Sequence, residues 1–363
     1  MKKIFFTVTN DLTYDQRMKR ICSTLSENGY QVCLIGRRLR TSVTLSKEKY
    51  FQKRIRCWFN KGKLFYTEFN IRLFFYLLFK KIDAICAIDL DTILPCLTIS
   101  RLKKITRIYD AHELFTEMKE VITRPGIHKF WSGVEKKAVP KFELGYTVSN
   151  GLSNEFKRRY GVRYETIRNM PVLKEFDTGI TRERFILYQG AVNEARGFEF
   201  LIPAMKKIDC SLVICGSGNF TEQLHQLIKE NKVEGKVDCR GMVSPDELWK
   251  ISQQAWIGIH VPEAEGLNQY LALPNKFFDY IDAGLPQVTV GYPEYKKIND
   301  EWDIALLIEK PDAEIIAETV NHLLQNDVLH QKLMQNCFKA RKILNWQEEE
   351  KKLLSFYQKV FNP

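Results

Sequence analysis

The stretch ALPNKFFDYIDAGLPQVTV, residues 272–290, predicts a short helix followed at once by a buried strand. Proline is favoured in the first turn of a helix, so Pro274 marks the start of the helix, and Gly284 and Pro286 mark its end. The residues after Pro286 are rich in β-branched side chains, which favour a strand. A helix joined to a strand by so short a turn is typical of α/β sheets.

The same alternation of helix and strand patterns extends outward along the chain in two series. Each strand pattern is rich in Val and Ile, which indicates parallel sheets covered on both faces. The predicted fold class is therefore α/β, with two doubly wound, Rossmann-like domains facing each other across a cleft. The strands are expected in KIFFTVTN, YQVCLIGR, DAICAIDL, TRIYDAHE and LGYTVSNG of the first series, and in RFILYQGA, CSLVICGSG, KVDCRGMV, AWIGIHVP and LPQVTVGY of the second.

Residues 171–184 separate the two series, because they contain a proline, a glycine and charges but no periodicity. The sequence therefore predicts an N-terminal domain over residues 1–170 and a C-terminal domain over residues 185–363. The last helix, about residues 345–363, either packs on its own domain or crosses back to the first, and the pattern leaves both open. Ligands of such sheets bind beyond the carboxyl ends of the strands, which places the expected site in the cleft.

The charge of the chain is divided unevenly. Residues 1–180 contain 34 Lys and Arg against 18 Asp and Glu, whereas residues 181–363 contain 21 against 26. A basic first half suggests contact with a polyanion or an anionic membrane. The nine cysteines are scattered singly, and the six histidines have no zinc-like spacing with them. We therefore expect free thiols in a reducing cytosol and no metal site.

The helix predicted from Pro274 carries a candidate binding site at its start. Its first free N–H groups, at Asn275, and its dipole favour an anion. Lys276 lies in the first turn, and Asp279 is three residues on, on the same face. A cation and a carboxylate one turn apart suit a nucleoside diphosphate. The cation would contact a phosphate, and the carboxylate would accept hydrogen bonds from the ribose hydroxyls. The alternative is a Lys–Asp surface pair on a core helix.

Two further segments place chemistry at the ends of predicted strands. In LYQGAVNEARGFEFLIPAM, residues 187–205, Gly190 ends a strand and Arg196 projects from the loop before the next helix, where a phosphate-binding cation belongs. In ICGSGN, Gly216 and Gly218 follow a buried strand and would let the backbone approach a ligand. The alternatives are a solvated arginine and an ordinary tight turn.

Together these segments resemble the second domain of family 4 glycosyltransferases of the GT-B fold, in a divergent bacterial branch. That family carries G-R-x-x-x-x-K-G, then G-x-G, then G-x-V-x-x-x-E-L, then a block that ends in E-A-M-A-x-G-x-P. Here Arg196 stands in place of the family lysine, and FDYIDAGLP puts Asp279 where the ribose-binding glutamate sits. The matching glycines and acid of the middle blocks are Gly216, Gly218, Gly241 and Glu247.

The sequence departs from the family at two positions. Ala191 occupies the place of the family arginine, so Lys276 is the candidate replacement for the missing cation. Leu271 occupies the place of the first acidic residue. Glu263 and Glu265 are nearby candidates for the group that assists at the sugar.

In the first domain, YDAHELFTE (residues 109–117) resembles the family element that brings a histidine beside the donor sugar. The resemblance implies that His112 hydrogen-bonds a sugar hydroxyl, while Asp110 or Glu113 fixes its tautomer or contacts the acceptor. The alternative is an acid-rich helix start, which is stabilising in itself. The glycine-rich loop of the wider family is missing; Arg17, in the segment that replaces it, would contact either a phosphate or the acceptor.

Residues 49–81 hold nine Lys and Arg, one acid and eleven aromatic residues. Such a mixture favours peripheral contact with an anionic membrane. A nucleic-acid groove or simple packing of a core helix are the alternatives. We do not expect nucleic acid as a partner, and the location predicted is the cytoplasm, with peripheral contact on the inner face of the plasma membrane.

The resemblance implies a retaining, metal-independent hexosyltransferase with no cofactor besides its UDP- or GDP-linked sugar substrate. The acceptor expected is a lipid-linked or cell-surface saccharide, as in polysaccharide biosynthesis. The alternatives are a nucleotide-sugar epimerase of the same architecture and a non-catalytic membrane-surface protein. A dinucleotide-dependent oxidoreductase is disfavoured, because no G-x-G-x-x-G follows the first strand.

Overall fold

The computed structural model describes residues 1–177 and 179–362. The chain forms two compact units. Unit 1 comprises Met1–Arg168 together with the C-terminal residues from Glu349 onward, and unit 2 comprises Asn169–Glu348.

Unit 1 is built on a parallel sheet that has seven strands within the described residues, in the order β3-β2-β1-β4-β5-β6-β7. Most of β1 and all of β4 are buried, as expected for central strands covered on both faces. The strands are β1 Lys3–Thr7, β2 Gln31–Arg38, β3 Phe51–Arg56, β4 Ala84–Ile88, β5 Thr106–Ala111, β6 Leu144–Thr147 and β7 Glu165–Thr166.

The helices of unit 1 connect these strands. Helix α1 begins after the side chain of Asp15, which accepts a hydrogen bond from the backbone N–H of Met18. The helices are α1 Gln16–Glu27, α2 Gly62–Leu78, α3 Ile93–Lys103, α4 Lys119–Ile122, α5 Pro125–Ala138 and α6 Asn150–Tyr160, with short 3-10 turns at Leu90–Thr92, Phe115–Glu117 and Val139–Lys141.

Unit 2 repeats the same design with six parallel strands in its described part, in the order β10-β9-β8-β11-β12-β13. The strands are β8 Phe185–Gln189, β9 Ser211–Cys215, β10 Val237–Gly241, β11 Ile257–His260, β12 Gln287–Val290 and β13 Ala305–Ile308. The helices are α7 Phe198–Ala204, α8 Thr221–Asn231, α9 Pro245–Gln254, α10 Leu267–Leu271, α11 Asn275–Asp282, α12 Pro293–Trp302, α13 Ala313–Gln325 and α14 Asp327–Ala340.

The last helix, α15 Trp346–Phe361, starts in unit 2 and continues into unit 1. Its buried ring of Tyr357 packs on Tyr146 of β6 and on Phe6 of β1. The carboxylate of Glu350 accepts a hydrogen bond from Thr24 of α1 at 2.9 Å. The C-terminal turns of the chain are therefore part of the core of unit 1.

The ten strands predicted from the sequence are all present, and the predicted α/β class with two doubly wound sheets is confirmed. Three strands were not predicted. Strand β3 lies at a sheet edge and has the charged sequence FQKRIR, β7 has two residues, and β13 has four. Edge strands and very short strands show little of the apolar pattern by which buried strands are recognised.

The order of the strands reverses direction between β8 and β11 in unit 2, and between β1 and β4 in unit 1. At such a switch point the connections leave the sheet toward opposite faces, which opens a crevice at the carboxyl ends of the two strands. In unit 2 this crevice lies beside Gln189 at the end of β8 and His260 at the end of β11. The switch point of unit 2 therefore lies beside segments whose residues were predicted to bind a ligand, and the site itself stays a prediction.

Helix α11 is anchored at this switch point by Tyr280. The buried hydroxyl shares its one proton between the carbonyl oxygens of Leu187 and Ile259, at 3.0 and 3.3 Å, and accepts from the backbone N–H of Gln189 at 3.2 Å. Gly258 gives room for the ring, since a Cβ there would lie 2.7 Å from it. Tyr280 thus fixes α11 against the ends of β8 and β11.

The described helices include none long and apolar enough to cross a membrane. The nine cysteines are all free, as predicted, and seven of them are buried.

We expect Tyr280→Phe to lower the free energy of unfolding by about 1–3 kcal/mol, because buried backbone groups lose their hydrogen-bond partner. Calorimetric unfolding measures the change, with Tyr14→Phe, at an exposed tyrosine, as the control. Equal stability of the two variants would show that Tyr280 does not anchor the helix.

Candidate functional site

The loop between β8 and α7 carries Arg196 in an unusual backbone. Ala195 and Gly197, on either side of it, both have positive φ, at 60° and 78°. A Cβ at Gly197 would lie 2.0 Å from the carbonyl oxygen of Val261, so only glycine fits there. Arg196 donates to the side-chain oxygen of Gln269 at 3.2 Å, and its buried Nε has no hydrogen-bond partner among the described residues. The loop therefore fixes Arg196 while leaving part of its donor capacity unused.

Lys276 lies in the first turn of α11 and is buried, with 8% of its surface exposed. Its Nζ stands 3.6 Å from the centre of the Tyr188 ring and has no hydrogen-bond partner in the described part of the chain. Gly190 leaves space beside it, since a Cβ there would lie 3.3 Å from Cε of Lys276. Burial, and then the charge of Arg196, lower the pKa of Lys276 well below its ordinary value.

His260, at the end of β11, is a third buried group of this cluster and was not predicted from the sequence. It is 1% exposed, and neither ring nitrogen has a hydrogen-bond partner within the described residues. Burial, then Lys276 and then Arg196, lower the pKa of His260 well below its ordinary value, so the ring is neutral. Its signal in the sequence is weak, because a lone histidine at a strand end is usually part of the core.

Asp279 is oriented by a polar chain that starts in the sheet. Its carboxylate accepts from Nε2 of Gln189 at 3.0 Å, and Oε1 of Gln189 accepts from the hydroxyl of Ser252 at 2.9 Å. Both Gln189 and Ser252 are buried, and neither was predicted. A glutamine inside a buried strand was the available signal. Asn275, at the start of α11, is exposed, and its side-chain oxygen accepts from Asn169.

The glycines after β9 pack against the loop that follows β8. A Cβ at Gly216 would lie 1.8 Å from the carbonyl oxygen of Gly190, and one at Gly218 would lie 2.2 Å from the carbonyl oxygen of Val192. Glycine is therefore required at both positions by the contact between two loops of unit 2. The close approach of the Gly216 and Gly218 backbone to a ligand stays a prediction.

The acids proposed for the sugar side of unit 2 lie in the loop after β11. The backbone N–H of Glu263 donates to the carbonyl of Ala195 at 3.2 Å, next to Arg196 in the chain. The carboxylate of Glu263 raises the pKa of Tyr292, after the larger effect of burial, so the two side chains are close. Glu265 is exposed.

We expect Lys276→Met to raise the free energy of unfolding by about 1 kcal/mol or more near neutral pH. The pKa of Lys276 is lower in the folded than in the unfolded chain. Folding at a pH below 10.5, the ordinary pKa of lysine, therefore carries a free-energy cost that is absent when methionine replaces the lysine. The gain should shrink as the pH rises toward 10.5. Calorimetry at neutral pH and near pH 10 measures it.

The control for this prediction is Lys250→Met, at an exposed lysine of α9. A loss of stability in Lys276→Met, larger than in the control, would mean that the ammonium is stabilised inside the folded unit and needs no ligand.

In unit 1, His112 follows β5 and lies between two carboxylates. Its Nε2 is 3.0 Å from Oδ2 of Asp110, and its Nδ1 is 3.7 Å from Oδ2 of Asp89. Burial opposes a charge on the ring, but Asp110 and then Asp89 outweigh it, and the pKa of His112 is raised. Asp110 is therefore close enough to pair with the ring of His112, and its predicted role toward His112 stays a prediction.

Arg17 is part of the same network and lies inside unit 1, 3% exposed. Nε and Nη2 donate to the Asp110 carboxylate, and Nη1 donates to the carbonyl of Ile167 at 3.0 Å. Arg17 and His112 together outweigh the effect of burial and lower the pKa of Asp110. The guanidinium is thus satisfied internally, and its predicted contact with a phosphate or an acceptor finds no support in this geometry.

Asp89 fixes the turn that presents His112. It has a positive φ of 51°, and its Oδ1 accepts from the backbone N–H groups of His112 and Glu113, at 2.8 and 3.2 Å. A non-glycine residue with positive φ is strained and is held by its surroundings. Glu113 itself is partly buried, and its predicted role stays open.

We expect Asp89→Asn to lower the pKa of His112, because the amide keeps the backbone hydrogen bonds but removes one of the two negative charges. NMR titration of ring-labelled histidine follows the pKa directly. Asp300→Asn, an exposed site in unit 2, is the control. An unchanged or higher His112 pKa in Asp89→Asn would show that Asp89 does not act on the ring.

The structure thus brings together Gly190, Arg196, Lys276 and Asp279 in unit 2, and Arg17, Asp110 and His112 in unit 1. Among the described residues no group of three or more His, Cys, Asp or Glu is arranged to hold a metal ion.

Comparison with known proteins shows what the part of the chain that carries the unit 2 cluster is similar to. Residues 173–340 match the family model described as "Glycosyl transferases group 1". A curated relative from Methanocaldococcus jannaschii, named as the uncharacterized glycosyltransferase MJ1607, is 38% identical over 77 residues. That match spans 20% of this chain and 20% of the relative.

Solved structures similar to the whole chain are glycosyltransferases at low identity. Sucrose-phosphate synthase from Thermosynechococcus elongatus covers 99% of both chains with a TM-score of 0.83 and 14% identity. Anabaena HepE in complex with UDP-glucose covers 99% of this chain and all of its own, with a TM-score of 0.74 and 11% identity. These similarities establish the fold of the chain as GT-B.

Proposed function

We propose that the protein is a retaining, metal-independent glycosyltransferase of family 4, in a divergent bacterial branch, that transfers a hexose from a UDP- or GDP-linked donor. The observation that carries the proposal is the pair of cations, Arg196 and Lys276, at the switch point of unit 2, with Lys276 buried and without a protein hydrogen-bond partner. The group 1 domain match over residues 173–340 supports it independently.

The chemistry requires that charge developing on the leaving diphosphate be stabilised. Preorganised donors in a site with little water do this most effectively. Lys276 and the N–H groups at the start of α11 supply positive charge at one point, and Arg196 supplies a second cation from the loop after β8. A bound diphosphate would raise the pKa of Lys276 again and keep the ammonium charged. Asp279, held by Gln189, is proposed to accept the ribose hydroxyls.

On the sugar side, we assign His112 to a hydroxyl of the donor sugar or the acceptor, with Asp110 holding its ring. Glu113, Glu263 and Glu265 are proposed for the sugar or acceptor. No covalent nucleophile is assigned, in keeping with transfer on the same face of the sugar. The acceptor proposed is a lipid-linked or cell-surface saccharide, because the first half of the chain is strongly basic.

A nucleotide-sugar epimerase is the second candidate, because the same diphosphate cluster and the same fold would serve it. The two functions differ in what they release. An epimerase yields free diphosphate or a new sugar nucleotide with no acceptor present, whereas transfer to a saccharide needs one.

We expect Arg196→Ala and Lys276→Ala each to reduce turnover by about 100-fold or more, as does the loss of one donor to a developing oxyanion. The measurement is release of nucleoside diphosphate from UDP- and GDP-sugars in the presence of extracted lipid acceptors. Arg240→Ala and Lys250→Ala, at exposed positions of unit 2, are the matched controls. Unchanged turnover in both site variants would end the assignment.

Titration of the protein with UDP, GDP and NAD separates the function classes before any acceptor is known. The proposal predicts binding of one nucleoside diphosphate that is weakened in Lys276→Ala and not in Lys250→Ala. Binding of NAD alone would favour an oxidoreductase and would contradict the proposal.

A further inference from the structure

Helix α2 of unit 1 is apolar on two opposite faces. One face, with Phe65, Phe69, Leu73 and Leu77, is buried. The other carries Leu64, Ile71, Phe75 and, at the end of the helix, Phe79, with 59, 52, 55 and 81% of their surfaces exposed. A surface helix normally has a polar outer face, and an exposed stripe of this kind marks a contact with another apolar phase.

The stripe runs the length of the helix. Its residues are spaced so that they fall on one side of α2, which has 17 residues and is therefore roughly 25 Å long. Helix α3 packs beside α2 and adds the exposed side chains of Leu94 and Leu102. Nζ of Lys103 donates to the carbonyl oxygen of Lys80 at 2.8 Å, which ties the ends of the two helices together.

An aromatic side chain is held in place beside the middle of helix α2. The carboxylate of Glu68 accepts from the backbone N–H groups of Trp58 and Phe59 and from Nε of Arg72. The guanidinium of Arg72 lies 4.7 Å from the Trp58 ring, which is 80% exposed. The loop is therefore fixed on the helix, and Trp58 projects from a rigid support.

The charge around the stripe is positive. Glu68, the one acid in residues 49–81, is engaged with Arg72 and the backbone. Exposed cations stand at both ends, with Lys61 and Lys63 before the stripe and Lys80 and Lys81 after it. Arg101 and Lys104 add two more at the end of α3. A second protein copy would bring the same positive charge, whereas an anionic lipid surface complements it.

We propose that the α2 face, defined as Trp58, Leu64, Ile71, Phe75, Phe79 and Leu102 with the lysines around them, lies on the surface of an anionic membrane. Helix α2 would rest parallel to the lipid surface, with the aromatic rings among the acyl chains and the lysines at the headgroups. The face belongs to unit 1 alone and does not include the unit 2 cluster of Arg196, Lys276 and Asp279. Failure of this proposal would therefore leave the proposed transfer reaction untouched, and the reverse also holds.

Sedimentation of the full-length protein with vesicles tests this inference. We expect binding to phosphatidylcholine vesicles with about 30% phosphatidylglycerol, little binding to phosphatidylcholine alone, and weaker binding at high salt. Two double variants should each weaken vesicle binding by at least about tenfold, namely Phe75→Ser with Phe79→Ser and Lys80→Glu with Lys81→Glu. The matched control is Met242→Ser with Val328→Ser, at similarly exposed apolar positions of unit 2.

Binding of UDP or GDP by each variant checks that unit 2 is folded, and circular dichroism checks the whole chain. The proposal is overturned if the wild type does not bind anionic vesicles, or if the control pair weakens binding as much as the α2 pairs. It is also overturned if sedimentation velocity shows a dimer that the double variant Phe75→Ser, Phe79→Ser does not form. Binding of a single-stranded oligonucleotide that depends on Lys80 and Lys81, without binding of vesicles, would overturn it as well.

Discussion

A buried lysine whose Nζ has no hydrogen-bond partner among the described residues is the feature on which the account of this molecule depends. Burial of a charge costs free energy unless the charge is paired, and an unpaired group becomes neutral or waits for a ligand. Lys276 is in this position because the reversal of strand order between β8 and β11 brings α11 against the open end of the sheet. Gly190 leaves space beside it, and Arg196 adds a second cation.

Unit 1 contains a buried cation that protein groups satisfy. Arg17 is as deeply buried as Lys276, but the Asp110 carboxylate and a backbone carbonyl satisfy it. The same Asp110 carboxylate also lies 3.0 Å from Nε2 of His112. Arg17 and Lys276 thus differ in one physical respect, because Arg17 donates to protein acceptors whereas Nζ of Lys276 has no hydrogen-bond partner among the described residues.

Local sequence patterns predicted the parts of the fold that depend on them. Helix α11 begins one residue after Pro274 and ends before Gly284, as capping rules require, and ten strands lie in the segments expected. The edge strand β3 was missed because half of its residues are charged. His260 and Gln189 were missed because their roles come from strand order, which brings together residues about 70 positions apart. Arg17 was assigned to a ligand because its distant partner, Asp110, cannot be inferred from its own segment.

A crystal structure of the protein with bound UDP or GDP, whichever binds more tightly in titration, tests the central claim most directly. The account predicts that the diphosphate lies within hydrogen-bond distance of Nζ of Lys276 and of the Arg196 guanidinium, at the amino end of α11. A diphosphate bound elsewhere, with the ammonium of Lys276 still resting on the Tyr188 ring, would contradict it.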